Sequence, residues 1–147
     1  MILKAFTKIY AMAGLRLGYA LCGSDDVAIK LQYSGQFWSV SVPAMAAGIA
    51  ALKEKEYVSQ TIGYVRKERD FLRCELQKYG IKVFPSDVNY LLFKTEKGLD
   101  DKLIDNGILI RNCANYQGLC EEFYRIAVRT HEENKMLISA VGRCING

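Results

Sequence analysis

The sequence contains few of the residues that form linkers, disordered segments or zinc sites. Only two of its 147 residues are proline and only one is histidine. The five cysteines form no pair at CxxC spacing, and one histidine cannot complete a common zinc set with them. We therefore expect no metal site. The cysteines are interpreted as reduced, mostly buried side chains of a cytoplasmic protein.

Long apolar runs and a signal-peptide layout are also missing from the sequence. The longest runs, such as residues 42–52, are too short and too rich in alanine to span a bilayer. Half of the residues are hydrophobic and 24% are charged, a composition typical of a folded, soluble protein. We expect no membrane partner.

The net charge of +4 comes from 20 basic and 16 acidic residues that are scattered along the chain. The only local concentration is the run Arg66-Lys67-Glu68-Arg69, which includes an acid. This run predicts a solvated helix face. The alternative, a nucleic-acid patch, lacks an accompanying groove-reading or base-stacking motif, so no nucleic-acid partner is expected.

Hydrophobic periodicity and turn residues predict alternating strands and helices. Strands are predicted over residues 2–7, 17–22, 81–84, 89–94, 108–111 and 123–128. Helices are predicted over residues 24–33, 43–52, 54–79 and 99–105, and after a capping box formed by Thr130 and Glu133. The stretch from 43 to 79 forms either two long helices or one bent helix. Strands that alternate with helices after it indicate a two-layer α/β unit.

The long helix has an apolar stripe and a defined end. Its stripe is predicted at spacings of three and four, with charged residues opposite, and Gly80 is placed to end it. The residues of the stripe are Ile62, Val65, Arg69, Leu72 and Leu76.

The most informative segment is Thr7-Lys8 followed by residues 13–19, Ala-Gly-Leu-Arg-Leu-Gly-Tyr. A lysine that attacks an aldehyde must be neutral part of the time, which a partly desolvated position between strand and loop favours. Arg16 offers a planar fork for a phosphate, and Gly14 and Gly18 allow close backbone approach and positive φ. The alternative is a surface lysine and a helix-end arginine.

Residues 6–19, Phe-Thr-Lys-Ile-Tyr-Ala-Met-Ala-Gly-Leu-Arg-Leu-Gly-Tyr, resemble the active-site segment of fold type I aminotransferases, which depend on pyridoxal phosphate. The resemblance implies that Lys8 holds this cofactor as a Schiff base and that Arg16 binds its phosphate. The family usually has serine or threonine three residues before the lysine, where this chain has Ala5. Phosphate binding is therefore expected to lose one contact.

A second candidate site lies in the alternating strand that contains Arg125, with Phe123 and Ala127 on the same face. An arginine on a buried face needs an anion or a hydrogen-bonded partner. A salt bridge to Glu121 or Glu122, or a position in water at a strand edge, are the alternatives. The resemblance implies that Arg125 binds the substrate α-carboxylate. The nearby Arg129 is expected to face solvent.

Arg111 ends the predicted strand over 108–111 and enters a loop. Many such arginines are merely surface residues. Residues 108–113 (Ile-Leu-Ile-Arg-Asn-Cys), the loop ending in Gly118-Leu119 and residues 124–130 (Tyr-Arg-Ile-Ala-Val-Arg-Thr) resemble one branch of the family. Residues 38–41 (Trp-Ser-Val-Ser) are more similar to the decarboxylase of that branch. This branch contains L-threonine-O-3-phosphate decarboxylase and histidinol-phosphate aminotransferase. Both act on substrates with a phosphate ester, which implies that Arg111 binds the substrate phosphate.

The resemblance implies an α/β fold and the C-terminal part of a larger enzyme that forms a homodimer. Residues 1–42 would close the large, cofactor-binding domain, 43–80 would connect the domains, and 81–147 would form the small domain. An apolar strand at the first residue also indicates a piece of a larger protein and predicts exposed apolar surface. The alternative is a folded fragment or interaction module without catalytic activity.

Overall fold

The computed structural model describes residues 1–146 and contains a two-stranded and a four-stranded sheet. Internal contacts divide the chain into two units, Met1–Thr61 and a second unit that begins at Ile62. Helix and sheet are mixed, as the predicted α/β class requires. No helix within residues 1–146 combines the length and the hydropathy needed to cross a bilayer.

The first unit begins with a hairpin of β1 (Ile2–Ala5) and β2 (Gly18–Leu21), which pair antiparallel. The Phe6 N–H donates to the Leu17 carbonyl at 3.2 Å and extends the pairing by one step. Both strands were predicted, but the expected burial of the first is wrong. Leu3 is 71% exposed, and Phe6, at the end of the strand, is the buried residue. The expected exposed apolar surface is therefore confirmed.

Two helices follow the hairpin. Helix α1 (Asp25–Ser34) begins after Ser24, as predicted, with Asp25 and Asp26 in its first turn, where acids are favourable. Helix α2 (Val42–Ala51) begins after Ser41, whose hydroxyl accepts a hydrogen bond from the Ala44 N–H at 3.3 Å. Its buried residues are Ala44, Gly48 and Ala51. A Cβ added at Gly48 would overlap the Leu17 side chain, so α2 packs closely against the loop of the hairpin.

Helix α3 (Lys55–Lys78) continues from the first unit into the second. The predicted stretch is thus two helices rather than one bent helix. Gly80 has a φ of 74° and follows the helix where a glycine was predicted to end it. The predicted stripe is only partly correct. Leu72 and Leu76 are fully buried, but Ile62 is 58% exposed and Glu68 occupies the buried face instead.

The second unit is a four-stranded antiparallel sheet with helices on one face. The strands are β3 (Lys82–Val83), β4 (Tyr90–Lys94), β5 (Arg111–Asn112) and β6 (Phe123–Ala127), in the order β3-β4-β6-β5. The helices that cover the sheet are α3, α4 (Leu99–Ile104) and α5 (His131–Asn146). The core lies between the two layers, where burial of each large apolar side chain contributes roughly 2 kcal/mol.

Successive side chains of β4 and β6 point to opposite faces of the sheet, so every second residue faces the helices. Leu91 and Phe93 in β4 and Tyr124 and Ile126 in β6 are buried under them. Their neighbours along each strand point to the other face of the sheet. The predicted strand over 108–111 is wrong in its bounds, because Arg111 begins the observed strand rather than ending it.

The cysteines are all unpaired, but most of them are not buried. Only Cys113 is buried, whereas Cys74 and Cys120 are exposed and Cys22 and Cys144 are half-buried. The prediction of mostly buried cysteines is therefore wrong, because four of the five are exposed or half-buried. No group of side chains suited to a metal ion occurs among the described residues.

Candidate functional site

Lys8 lies in the turn that follows β1, at the predicted junction of strand and loop. The Tyr10 N–H donates to the Phe6 carbonyl at 3.3 Å, and the Ala11 N–H donates to the Lys8 carbonyl at 3.1 Å. These bonds hold the backbone of the turn on both sides of the lysine. The Lys8 side chain is exposed, so residues 1–146 do not supply the desolvation that the sequence led us to expect.

Arg16 lies in the same loop, directly after a short 3-10 helix over Ala13–Leu15. Its backbone is left-handed, with φ 51° and ψ 41°, a conformation that costs energy for a residue other than glycine. One guanidinium nitrogen, Nη1, donates to the Ala13 carbonyl at 3.1 Å. The side chain is exposed, and its remaining donors are available to an anion.

The expected positive φ at Gly14 and Gly18 is wrong, since the left-handed residues of this loop are Ala11 and Arg16. The expected close approach holds for Gly18 alone. A Cβ there would lie 2.9 Å from the Lys4 carbonyl oxygen in the neighbouring strand, whereas a Cβ at Gly14 would have no neighbour within 4 Å. Gly18 thus lets β1 and β2 pair closely at the base of the loop that carries Lys8 and Arg16.

The second unit contains the other two predicted residues. Arg111 and Arg125 are direct partners in the register of β5 and β6, so both side chains are on the same face of the sheet. Leu92 is the partner of Arg125 in β4, which places this face opposite the buried Tyr124 and Ile126. Arg125 is half-buried and Arg111 is exposed.

No carboxylate of the described residues forms an ion pair with Arg111 or Arg125. The alternative salt bridge from Arg125 is not formed, because Glu121 pairs with Lys97 and Glu122 pairs with Lys94 at 2.8 Å. The strand-edge alternative is also wrong, since β6 lies between β4 and β5. Among residues 1–146, therefore, two arginines on one sheet face have no carboxylate partner, an arrangement suited to binding an anion.

Aromatic rings and one amide contact these guanidinium groups instead. The Arg125 Cζ lies 5.1 Å from the centre of the Tyr90 ring, and the Arg111 Cζ lies 6.0 Å from the centre of the Tyr116 ring. Arg111 Nη2 also donates to the Asn115 side-chain oxygen at 3.1 Å. Arg129 is exposed, as predicted, and pairs with Glu133.

Glu68 takes part in a buried cluster that the sequence analysis missed. It is only 2% exposed, and its carboxylate accepts from Asn134 Nδ2 at 3.0 Å and contacts His131 Nδ1 at 3.1 Å. Burial alone would raise the pKa of Glu68, but the hydrogen bonds from Asn134 and His131 outweigh it, and its pKa lies below the ordinary value. The spacing of Glu68 from Leu72 and Leu76, four and eight residues, was the available signal. The interpretation of 66–69 as a solvated face is wrong at this residue.

Comparison with known proteins gives consistent similarities over nearly the whole chain. Residues 1–141 match the family model described as aminotransferase class I and II. The chain is 38% identical to a threonine-phosphate decarboxylase from Salmonella typhimurium, covering 99% of this chain and 41% of that enzyme.

Solved structures give the same picture. The chain superposes with a TM-score of 0.92 on a histidinol-phosphate aminotransferase from Clostridium acetobutylicum, at 31% identity over 98% of this chain and 45% of that one. A histidinol-phosphate aminotransferase from Sinorhizobium meliloti, solved in complex with pyridoxal-5′-phosphate, shares the fold at a TM-score of 0.86 and 24% identity, over 98% of this chain and 40% of that one. The chain therefore spans about two fifths of the length of its relatives.

Proposed function

The chain belongs to the aminotransferase class I and II family, and on that premise we propose that it is the C-terminal part of a pyridoxal-phosphate-dependent enzyme acting on a phosphorylated amino acid or amine. One observation carries the proposal. A single loop between two paired strands holds both an exposed amine, on Lys8, and a guanidinium with free donors, on Arg16.

These two side chains fit the cofactor chemically. The Lys8 amine can bond to an aldehyde carbon, and the Arg16 guanidinium can bind a phosphate through the donors that the Ala13 carbonyl does not occupy. When bound, pyridoxal phosphate withdraws electrons from the substrate α-carbon. Lys8 would then hold or move the proton at that carbon. Ala5 has no hydroxyl, so the cofactor phosphate would lack the hydrogen bond that serine or threonine usually donates at this position in the family.

Arg125 and Arg111 are proposed as the substrate-binding residues, Arg125 for the α-carboxylate and Arg111 for the phosphate. Their placement on one sheet face, with no carboxylate of residues 1–146 paired to either, supports this assignment. Arg125 is half-buried, and a half-buried arginine without an acid carries a cost that a bound anion compensates.

The specific reaction we propose is decarboxylation of L-threonine-O-3-phosphate, in cobalamin side-chain synthesis. The identity of 38% to a threonine-phosphate decarboxylase supports it. The alternative is transamination of histidinol phosphate, which the superposition on the Clostridium acetobutylicum aminotransferase supports. We further propose that the full-length enzyme is a cytoplasmic homodimer. In it, residues 1–42 complete the large domain, residues 43–80 connect the large and small domains, and residues 81–147 form the small domain. Unpaired cysteines suit a reducing cytoplasm.

The cofactor assignment is tested on the 147-residue chain. The chain is mixed with pyridoxal phosphate, the lysine adduct is reduced with borohydride, and the modified residue is located by mass spectrometry. The reduced adduct is expected at Lys8, and the Lys8→Ala variant is expected to lose it. Lys4→Ala is the matched control, because Lys4 is another exposed lysine of the hairpin. Preferential labelling of Lys4, or equal labelling in the Lys8→Ala variant, would contradict the assignment. A folded chain that forms no adduct would support the non-catalytic fragment.

The reaction is tested on an intact enzyme that contains this chain. Release of carbon dioxide from threonine phosphate is expected. Transfer of the amino group from histidinol phosphate to 2-oxoglutarate, without decarboxylation, would replace that assignment with the aminotransferase.

A further inference from the structure

The relation between each substrate-site arginine and its neighbouring ring suggests a role for the rings. We propose that Tyr90 and Tyr116 are positioning residues, each holding the guanidinium of one arginine so that the two like charges are separated and both remain open to anions. The proposal rests on the proposed function, in which Arg125 and Arg111 bind substrate.

The arginine pair carries an energetic cost. Arg111 and Arg125 stand directly opposite each other in antiparallel strands, where like charges destabilise the pairing. A side chain as long as arginine can relieve this repulsion by directing its guanidinium away from its partner. No carboxylate of the described residues pairs with either group; Arg111 donates to the Asn115 side chain, and each guanidinium lies over an aromatic ring.

The two guanidinium groups are held in different directions. Tyr90 is the first residue of β4, on one side of β6, and its ring lies 5.1 Å from the Arg125 Cζ. Tyr116 belongs to the turn after β5, which pairs on the other side of β6, and its ring lies 6.0 Å from the Arg111 Cζ. The two contacts therefore draw the guanidinium groups toward different segments of the unit. Both distances are within the range of cation–π attraction.

An aromatic ring holds a substrate-binding arginine better than an acid would. A carboxylate at the position of Tyr90 would form an ion pair with Arg125 and compete with an anionic substrate. A ring attracts the guanidinium through its face and leaves the N–H donors at the edge free. Tyr90 and Tyr116 are 41% and 44% exposed, so neither contact closes the arginines off from solvent.

The test uses the 147-residue chain and begins without ligand. In a ring-facing arginine the side-chain protons are shifted upfield in the NMR spectrum. Arg125 δ-protons are expected to be shifted in the wild-type chain and in Tyr90→Phe, which keeps the ring, and to lose the shift in Tyr90→Leu. Tyr116→Phe and Tyr116→Leu give the same comparison at Arg111. Shifts that are unchanged in both leucine variants would overturn the proposal.

The second measurement is the affinity of the same chains for O-phospho-L-threonine, by isothermal titration. Each leucine variant is expected to bind about two- to fivefold more weakly, the size of a cation–π contribution at a half-exposed site, while each phenylalanine variant binds like the wild type. Tyr33→Leu, which removes an exposed tyrosine of the first unit, is the control. A loss of affinity in Tyr90→Phe would assign the effect to the hydroxyl and overturn the role of the ring.

Two further variants separate this inference from the proposed function. Arg125→Gln and Arg111→Gln are expected to lose most of the binding. If these variants bind like the wild type, the proposed substrate site fails, while the proton shifts still decide whether the rings hold the arginines. If they lose binding but the tyrosine-to-leucine variants do not, the proposed site stands and the positioning role fails.

Discussion

Arg111 and Arg125 face each other directly across β5 and β6, two positive side chains in register on the open face of a sheet. Like charges directly opposite each other destabilise a pair of strands, whereas opposite charges stabilise it. The nearest acids of the same segment, Glu121 and Glu122, are paired with Lys97 and Lys94. Such a pair of arginines attracts an anion.

Inorganic phosphate should stabilise the wild-type chain more than chloride does at equal ionic strength. A phosphate concentration ten times its dissociation constant would add about 1.4 kcal/mol to the free energy of unfolding. The midpoint of thermal unfolding measures this effect. Arg111→Gln should lose most of it, whereas Arg143→Gln, which removes an exposed arginine of α5, should retain it. Equal stabilisation of the wild type and Arg111→Gln would argue against an anion site.

Gly18→Ala should weaken the hairpin that carries Lys8 and Arg16. The new Cβ would lie 2.9 Å from the Lys4 carbonyl oxygen, and backbone cannot move away as easily as a side chain. Overpacking of this kind costs about 1–3 kcal/mol. Urea denaturation followed by circular dichroism measures the loss, and the yield of the reduced cofactor adduct at Lys8 should fall with it.

Gly14→Ala is the matched control for this substitution. Its Cβ would meet nothing within 4 Å, and its φ is not positive, so stability should stay equal or rise slightly. A larger loss in Gly14→Ala than in Gly18→Ala would mean that strand spacing does not control the loop.

Tyr124→Phe should destabilise the second unit although it removes only one oxygen atom. The buried Tyr124 hydroxyl accepts from the Gly98 N–H at 2.9 Å and the Leu99 N–H at 3.3 Å, and it donates to the Glu96 carbonyl at 3.1 Å. Burial raises the pKa of Tyr124, which keeps this donor protonated. The variant leaves backbone groups at the start of α4 unpaired, which costs about 1–3 kcal/mol. Urea denaturation checks this, and Tyr33→Phe, at an 83% exposed position, should change nothing.

The stability of the chain should fall in acid as Glu133 is protonated. Hydrogen bonds from Arg129 and Thr130 lower the pKa of Glu133 from 4.5 to about 2. A carboxyl whose pKa is lowered by folding stabilises the native state above its unfolded pKa, and this contribution is lost as the pH falls toward the folded value. The urea midpoint should therefore decline between about pH 5 and pH 2.

Glu133→Gln should be less stable than the wild type near neutral pH and should show a shallower decline in acid. Glu132→Gln is the matched control, because it removes a carboxylate from the same turn and leaves the capping hydrogen bonds of Glu133 in place. If Glu132→Gln flattens the pH profile as much as Glu133→Gln does, the capping box is not the source of the pH dependence.

Several features of the fold could be read from short stretches of sequence. The Thr130 and Glu133 side chains form the predicted capping box, and Gly80 follows α3 with the expected positive φ. The strand bounds at Tyr90–Lys94 and Phe123–Ala127 lie within a residue of their predictions. These features depend on residues a few positions apart, so the local pattern was sufficient. The loop position of Lys8 was predicted for the same reason.

Local sequence patterns thus predicted the α/β class, the capping box of α5 and the glycine that follows α3, and together with the family resemblance they named the candidate site residues. Contacts between distant parts of the chain set the burial of Glu68, the incomplete burial of four cysteines and the register that places Arg111 opposite Arg125. The reason is physical. A cap or a turn is stabilised by neighbours along the chain, whereas burial and strand register are stabilised by partners far away in sequence. Glu68 is buried because Asn134 and His131, more than sixty residues later, offer it hydrogen bonds.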